Sequence, residues 1–345
     1  MKLAILFGGA SYEHEISIVS AVTMKEKLSS FDLSFIFCDQ DHRFYLIEPK
    51  EMMAKTFASG AYLKMPQLQM GLGGFSRSKM FGNEHYTMPV LNLIHGGDGE
   101  DGTIASMLDF YKIAYIGPRP AASQLSYDKR YTKWLADSLG VKTVKYEVLC
   151  ATEMREVKTG FPCIVKPARL GSSIGVSIVR DESQLDYALD VAFEFDECVI
   201  VEPFIEGVKE YNLAGCMIDG EIRFSIIEEP QKNEFLDFDK KYLDFSRTTA
   251  VTEADLDEET VAKLKRAFTK IYTHLFEGAL IRCDFFMVDG EVLLNEINPI
   301  PGSMGNYLFE DFEGTVSALL GSLPVKKSPQ IDYKYIHSIN AAKGK

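Results

Sequence analysis

The sequence predicts an α/β protein built from three consecutive units, and three observations carry that expectation. At about 150 residues per domain, a chain of 345 residues is long enough for several cores. Short apolar runs alternate with amphipathic stretches as far as residue 118, the pattern of a parallel sheet with crossover helices. Two Asp-Gly dipeptides, Asp219-Gly220 and Asp289-Gly290, each separate two strand-like runs, which is the strongest short-range hairpin signal.

The first unit, 1–118, opens with an apolar strand at 3–7 ended by Gly8-Gly9. Glu13 and Glu15 follow at once, so this start reads as a buried strand and not a secretory leader. A helix is expected from Ile16 to Leu28, then strands at 35–38 and 44–47. Residues 53–88, rich in Met, Gly and Ser, read as a long excursion with a hairpin near Gly71–Gly74, packing on the core or at an interface. A strand at 90–94, the loop His95–Gly102, a helix at 103–111 and a strand at 114–116 close the unit. The second unit, 119–202, has helical patterns at 128–139 and 181–193 and strands at 147–150, 163–166, 176–179 and 198–202. The third, 203–345, has strands at 210–217 and 223–227, a polar loop, a helix with Val261, Leu264, Phe268, Ile271 and Leu275 on one face, and strands at 280–288 and 292–296.

Composition excludes several function classes. The 37 Lys+Arg against 50 Asp+Glu give a net charge of −13, unsuited to general nucleic-acid binding or docking on anionic lipid. No run approaches the length of a membrane span. The six cysteines, in apolar runs without a C-x-x-C clip, read as reduced, buried thiols of a cytoplasmic protein.

Three clusters carry chemistry. Gly97, Gly99 and Gly102 spell a G-x-G-x-x-G, but Asp98, Glu100 and Asp101 would face a pyrophosphate and no acid follows at the ribose distance, so a nicotinamide site is rejected. The loop from Gly171 to Gly175, with Ser172 and Ser173, reads either as a surface hairpin turn or as a phosphate cover; Lys166, at a strand end just upstream, reads as a solvated lysine or a phosphate ligand. Asp284 inside an apolar strand and Glu296 on its hairpin partner fall near one another, with Asn298 and Arg282 on the same faces. Two carboxylates and an amide oxygen suit Mg²⁺; the other reading is a structural Arg–carboxylate network.

With these segments in order along nearly the whole chain, the sequence resembles the ATP-grasp superfamily, and within it the D-alanine–D-alanine ligases. The carrying motifs are the segment from Leu6 to Ser17, His95-Gly96-Gly97-Asp98-Gly99-Glu100-Asp101-Gly102-Thr103, Ser126-Tyr127-Asp128-Lys129, Lys166-Pro167, the 171–175 loop, Lys240-Lys241-Tyr242, Arg282-Cys283-Asp284 and Asn295-Glu296-Ile297-Asn298-Pro299. The resemblance implies a three-domain ATP-grasp architecture with a Rossmann-like N-terminal domain, and an ATP-dependent ligation of two D-alanines through a D-alanyl phosphate, for peptidoglycan precursors. It implies Mg²⁺ or Mn²⁺ as two ions and a homodimer. Rival readings are another ATP-grasp carboxylate–amine ligase, or a non-catalytic nucleotide-binding protein on the same fold.

By matched position, the resemblance implies that Lys129, Lys166, Ser172, Ser173, Glu202, Glu210, Lys241 and Asn295 hold ATP, and that Asp284, Glu296 and Asn298 hold the metal. Glu13 would take the first D-alanine's ammonium beside Ser172 and Tyr242, with His95 near that substrate and Lys241 facing the γ-phosphate and the second substrate. Arg282 and the Gly302 backbone would stabilise the tetrahedral intermediate. Tyr307 falls where many relatives carry a small hydroxyl residue, so Ser303 or nearby backbone is expected at the second substrate's carboxylate. Lys241-Tyr242 favours an amine as the second substrate, and the polar segment 229–247 is expected to be a mobile lid.

Overall fold

The computed structural model describes residues 1–152, 154–230 and 251–343, and its strands form three sheets. Strands β1 (Lys2–Gly8), β2 (Asp32–Cys38), β3 (Phe44–Ile47), β4 (Gln67–Gly71), β5 (Gly74–Lys79), β6 (Gly82–Tyr86), β7 (Val90–Asn92) and β8 (Tyr115–Ile116) form one eight-stranded sheet in the order β6-β5-β4-β3-β2-β1-β7-β8. Helices α1 (His14–Lys27), α2 (Ala54–Ala58) and α3 (Thr103–Phe110) belong to the same stretch of chain. Only β2-β1-β7-β8 is parallel; β3 to β6 are antiparallel. The excursion expected at 53–88 is therefore in large part sheet. Gly71 and Gly74 do face each other across its first hairpin. Leu68 and Phe75 are buried at 2% exposure each, and Phe75 meets Phe44 edge-on at 5.4 Å. These anchors are sparse among Met, Gly and Ser, so the strand period was too diluted to read.

The second sheet joins β9 (Glu147–Cys150), β10 (Cys163–Pro167), β11 (Ser177–Val179) and β12 (Cys198–Pro203) in the antiparallel order β11-β10-β12-β9. It is covered by α6 (Leu185–Phe193), whose Leu185, Ala188, Leu189 and Ala192 are buried. The register sets Cys150 opposite Cys198, and the two form a disulfide. The expectation of six free thiols is thus corrected to four, Cys38, Cys163, Cys216 and Cys283, all buried. Residues 48 apart in sequence became neighbours only through strand pairing.

Along the chain, between β8 and β9, come α4 (Pro120–Tyr127), which the residue pattern did not announce, and α5 (Lys129–Ser138). Asp128 caps α5 by accepting from the Arg130 amide at 2.9 Å, as an N-cap acid does. The third sheet is β13 (Lys209–Ile218), β14 (Glu221–Glu228), β15 (Leu280–Val288) and β16 (Glu291–Asn298), ordered β14-β13-β15-β16 and antiparallel, with both Asp-Gly hairpins in place. Helix α7 (Glu258–Tyr272), capped by Asp257, lays Leu264, Phe268, Ile271 and Tyr272 on it, and Ala122 and Ala136 from α4 and α5 join that core. Truncating Phe268 in such a core costs about 3–5 kcal/mol. Helices α8 (Phe312–Gly321) and α9 (Lys334–Lys343) end the chain's described part. Among the described residues no helix is long and apolar enough to cross a membrane.

Candidate active site

The antiparallel pairing of β15 and β16 brings Asp284 and Glu296 together, as the hairpin implied, and a one-residue register shift sets Asp284 directly opposite Glu296 and Arg282 opposite Asn298. Asp284 is 2% exposed. Arg282 grips it in two parallel bonds, Nε to Oδ1 at 2.7 Å and Nη2 to Oδ2 at 2.8 Å, while Asn298 Nδ2 donates to Oδ2 at 3.0 Å. Burial pushes the Asp284 carboxyl up; the guanidinium opposes that, and Glu296 beside it adds to the rise. A buried and a half-buried carboxylate in contact form a like-charge conflict that a proton or a cation relieves. The donor set, two carboxylates and an amide, fits a hard divalent cation.

A bulge between Asp284 and Phe285 lets Phe285 face Leu294, so Asn295 has no partner in the register. An inserted residue of this kind re-aims its neighbours. Asn295 and Glu296, consecutive in sequence, consequently line the same cleft, which regular alternation forbids. That cleft lies between the second and third sheets. Its polar wall holds Lys129, Lys166, Ser172, Ser173, Glu202, Glu210, Asn295 and Glu296; its apolar wall includes Val144, Ile164, Val176, Phe204, Val208 and Phe286.

Lys166 and Glu202 sit diagonally on the facing strands β10 and β12. Lys166 Nζ reaches Glu202 Oε2 at 2.7 Å and Asn295 Oδ1 at 3.4 Å. The other oxygen, Oε1, is taken by Lys133 at 2.5 Å. Burial works against the Glu202 charge, but Lys166 and Lys133 overcome it and hold its pKa at about 2. Burial also works against Lys166, and Glu202 reverses the outcome, holding its pKa above the ordinary value. Lys129, on the first turn of α5, donates from Nζ to the Leu170 carbonyl at 2.5 Å; burial pushes its pKa down.

Glu13, at the start of α1, is 5% exposed. Its Oε1 accepts from Ser172 Oγ at 2.6 Å, and its Oε2 is buried with no hydrogen-bond partner. Burial raises its pKa, opposed by Ser172 and by the Lys129 charge. Glycines make room for it: a Cβ on Gly96 would come within 2.9 Å of Oε2, and one on Gly171 within 2.9 Å of Oε1. Ser172 and Ser173 both adopt left-handed φ, 55° and 58°, so the loop turns its hydroxyl toward α1. His95 is 3% exposed with Nδ1 2.7 Å from the Leu93 carbonyl, and burial lowers its pKa to about 4, leaving a neutral ring at pH 7.

After Gly302 the chain takes three successive left-handed residues, Ser303, Met304 and Gly305. Such runs are strained for residues with side chains and collect at functional sites. The Ser303 amide donates to Ser20 Oγ at 2.9 Å, tying this turn to α1. Tyr307 Oη lies 3.4 Å from Arg282 Nη1.

The fold thus joins Glu13 to Ser172, Lys166 to Glu202 and Asn295, and Arg282 to Asp284 and Asn298, with Glu296 bordering all three groups. Lys241 and Tyr242, and the expected lid from residue 231 onward, lie outside the described residues. Two residues escaped the sequence reading. Lys133 could have been found from its i,i+4 spacing to Lys129. Glu100 stands in the quoted His95–Thr103 motif, and burial, then the Glu13 charge, pushes its carboxyl well above the ordinary range.

Comparison with known proteins adds the following. Residues 2–118 match the family described as "D-ala D-ala ligase N-terminus", and residues 135–311 match "D-ala D-ala ligase C-terminus". A D-alanine--D-alanine ligase of Sulfurimonas denitrificans is 64% identical over 345 residues, covering 100% of both chains. One of Sulfurovum sp. is 59% identical over 346 residues, again covering 100% of both. Among solved structures, the D-Alanine-D-Alanine Ligase from Helicobacter pylori superposes with a TM-score of 0.85 at 48% identity, covering 95% of this chain and 100% of that one.

Proposed function

The chain belongs to the D-alanine–D-alanine ligase family, and from that premise we propose how its own residues carry the family's reaction, the ATP-dependent joining of two D-alanines into D-alanyl-D-alanine. The observation that carries the proposal is Glu13: a buried carboxylate with one oxygen bonded to Ser172 and the other unpartnered. A buried acid in that condition is completed by a cation with hydrogens to donate, and the ammonium of the first D-alanine supplies both. Neutral His95 lies near that substrate without competing for its carboxylate. The Glu13 charge is felt by Lys129 and Glu296, so the amino acid lies beside the phosphate end of the cleft.

In the first step a D-alanine carboxylate oxygen attacks the γ-phosphorus of ATP, the bond to the β-phosphate oxygen breaks, and ADP leaves. Lys129 and Lys166 hold the phosphates, with Ser173 and Lys241 beside them. The apolar wall takes the base, and Glu210 the ribose. Asp284, Glu296 and Asn298 would hold a divalent cation, which when bound would neutralise charge on the phosphate oxygens. Hard oxygen donors favour Mg²⁺ or Mn²⁺, and we assign two ions. In the second step the uncharged amine of another D-alanine attacks the acyl carbon, inorganic phosphate leaves, and the surplus proton goes to solvent or phosphate. Arg282 and the Gly302 amide face the oxyanion, as preorganised donors must. Ser303 and Tyr307 border the second substrate, and Tyr242 is assigned to the first, with Glu13 and Ser172. We further assign a cytoplasmic homodimer, whose two-chain mass sedimentation would detect.

Phosphate release from ATP with D-alanine, L-alanine and D-lactate offered separately tests the reading. Stimulation by D-alanine alone supports it; release that ignores D-alanine would sink it, and equal use of D-lactate near neutral pH would remove the preference for an amine. The rival readings differ in the same assay: another carboxylate–amine ligase would prefer another substrate, and a non-catalytic protein would release nothing.

A further inference from the structure

Lys133 enters none of the roles above, yet it is among the most deeply placed charges in the molecule, 2% exposed. A lysine ammonium is rarely buried without a partner, because the lost hydration must be replaced. Its replacement is specific: Glu202 Oε1 at 2.5 Å, with the Val144 carbonyl at 3.4 Å and the Tyr146 ring centroid at 5.8 Å. Lys133 does not line the cleft, whereas Glu202, Val144 and Lys166 do. It therefore stands behind the wall that its partners form. Its place one helical turn after Lys129 puts both lysines on the same face of α5.

Resting on the assignment of this cleft to ATP, we propose that Lys133 is a positioning residue for the nucleotide phosphates: it occupies one oxygen of Glu202 from behind, so that Lys166 meets only the other and keeps its charge aimed at the ligand. Two ammoniums share one carboxylate, which leaves the trio with a surplus positive charge. Without Lys133, both Glu202 oxygens turn to Lys166. The surplus vanishes, and the lysine that should meet phosphate is held by protein. A contact of this kind affects phosphates and leaves the nucleoside alone, which separates it from a general packing role.

The test is binding of ATP and of adenosine to the full-length protein by calorimetry, with Lys133→Met, Lys166→Met and Lys133→Met/Lys166→Met. Lys133→Met should lose about 10-fold or more in ATP affinity, while adenosine changes by less than about 2-fold. Because Lys133 acts through Lys166, the double variant should lose no more than about 3-fold beyond Lys166→Met alone. Equal losses for both ligands, no loss for ATP, or additive losses in the double variant each overturn the proposal. Should Lys133→Met not fold, Lys133→Leu, which also leaves Glu202 Oε1 open, must show the same selective loss; if neither folds, Lys133 serves stability alone and the proposal falls. Lys166→Met separates the two readings. If it too leaves ATP binding intact, the cleft is not the ATP site; if it alone weakens ATP, only the role of Lys133 is wrong.

Discussion

Glu13 and Glu202 are the same residue type at nearly the same depth, 5% and 2% exposed, in opposite electrical conditions. Glu202 has an ammonium on each oxygen and a pKa held at about 2. Glu13 has one hydroxyl, one bare oxygen and a pKa raised by burial. Depth alone does not decide the charge of a buried acid; the supply of cations around it does. The acid already satisfied is part of the scaffold. The acid left incomplete marks where a ligand must bring its own charge.

The most disruptive way to break the contrast is Glu202→Gln, which strands the buried ammonium of Lys133 and the partly buried one of Lys166 and should cost about 3–5 kcal/mol of stability at pH 7. The folded pKa lies below the ordinary 4.5, so the charge contribution is present above that value and is lost as pH falls toward about 2. Urea unfolding of both proteins at pH 7, 4 and 3 should show the gap narrowing; a constant gap would mean the carboxylate contributes by packing alone. Glu13→Gln should do the reverse. It removes the cation's partner, raising the KM for D-alanine about 30- to 100-fold, a binding loss of about 2–3 kcal/mol, while melting temperature holds or rises. A clear fall in melting temperature would place Glu13 with Glu202 as scaffold.

Ser172→Ala sharpens the comparison more gently. It takes away the side-chain donor to Glu13 Oε1, so the KM for D-alanine should rise about 5- to 10-fold, with the KM for ATP moving less; equal changes would tie Ser172 to the nucleotide. The smallest effect is a proton count. Raised burial means the charged form of Glu13 carries a stability penalty that is absent below 4.5 and grows as pH rises toward its folded value. D-alanine's ammonium relieves that penalty, so binding should release a fraction of a proton near the folded pKa. Calorimetry in buffers of different ionisation heat would detect it, and Glu13→Gln should abolish it.

Much of the site could be read directly from residue order. Asp289-Gly290 implies a hairpin that brings Asp284 near Glu296, because strand pairing is local; regular pairing from that turn would set Asp284 against Asn295, and a bulge supplies the last one-residue shift to Glu296. The motif from His95 to Thr103 likewise marked its loop. The bulge could not be read, since nothing in Leu294-Asn295-Glu296 announces an inserted residue; at that point Leu294 also bridges to Thr143, far away in sequence. Nor could Cys150 be matched to Cys198, or Lys133 to Glu202, because each pairing crosses separate elements.

The sequence by itself determined the order of elements, the family, and which residue types stand at the ends of which strands, since these follow from local periodicity and short motifs. Tertiary structure alone decided the charge of those residues. It gave Glu202 two lysines and left Glu13 with an open oxygen, and such differences come from desolvation and from neighbours that only the packed fold brings within a few ångströms.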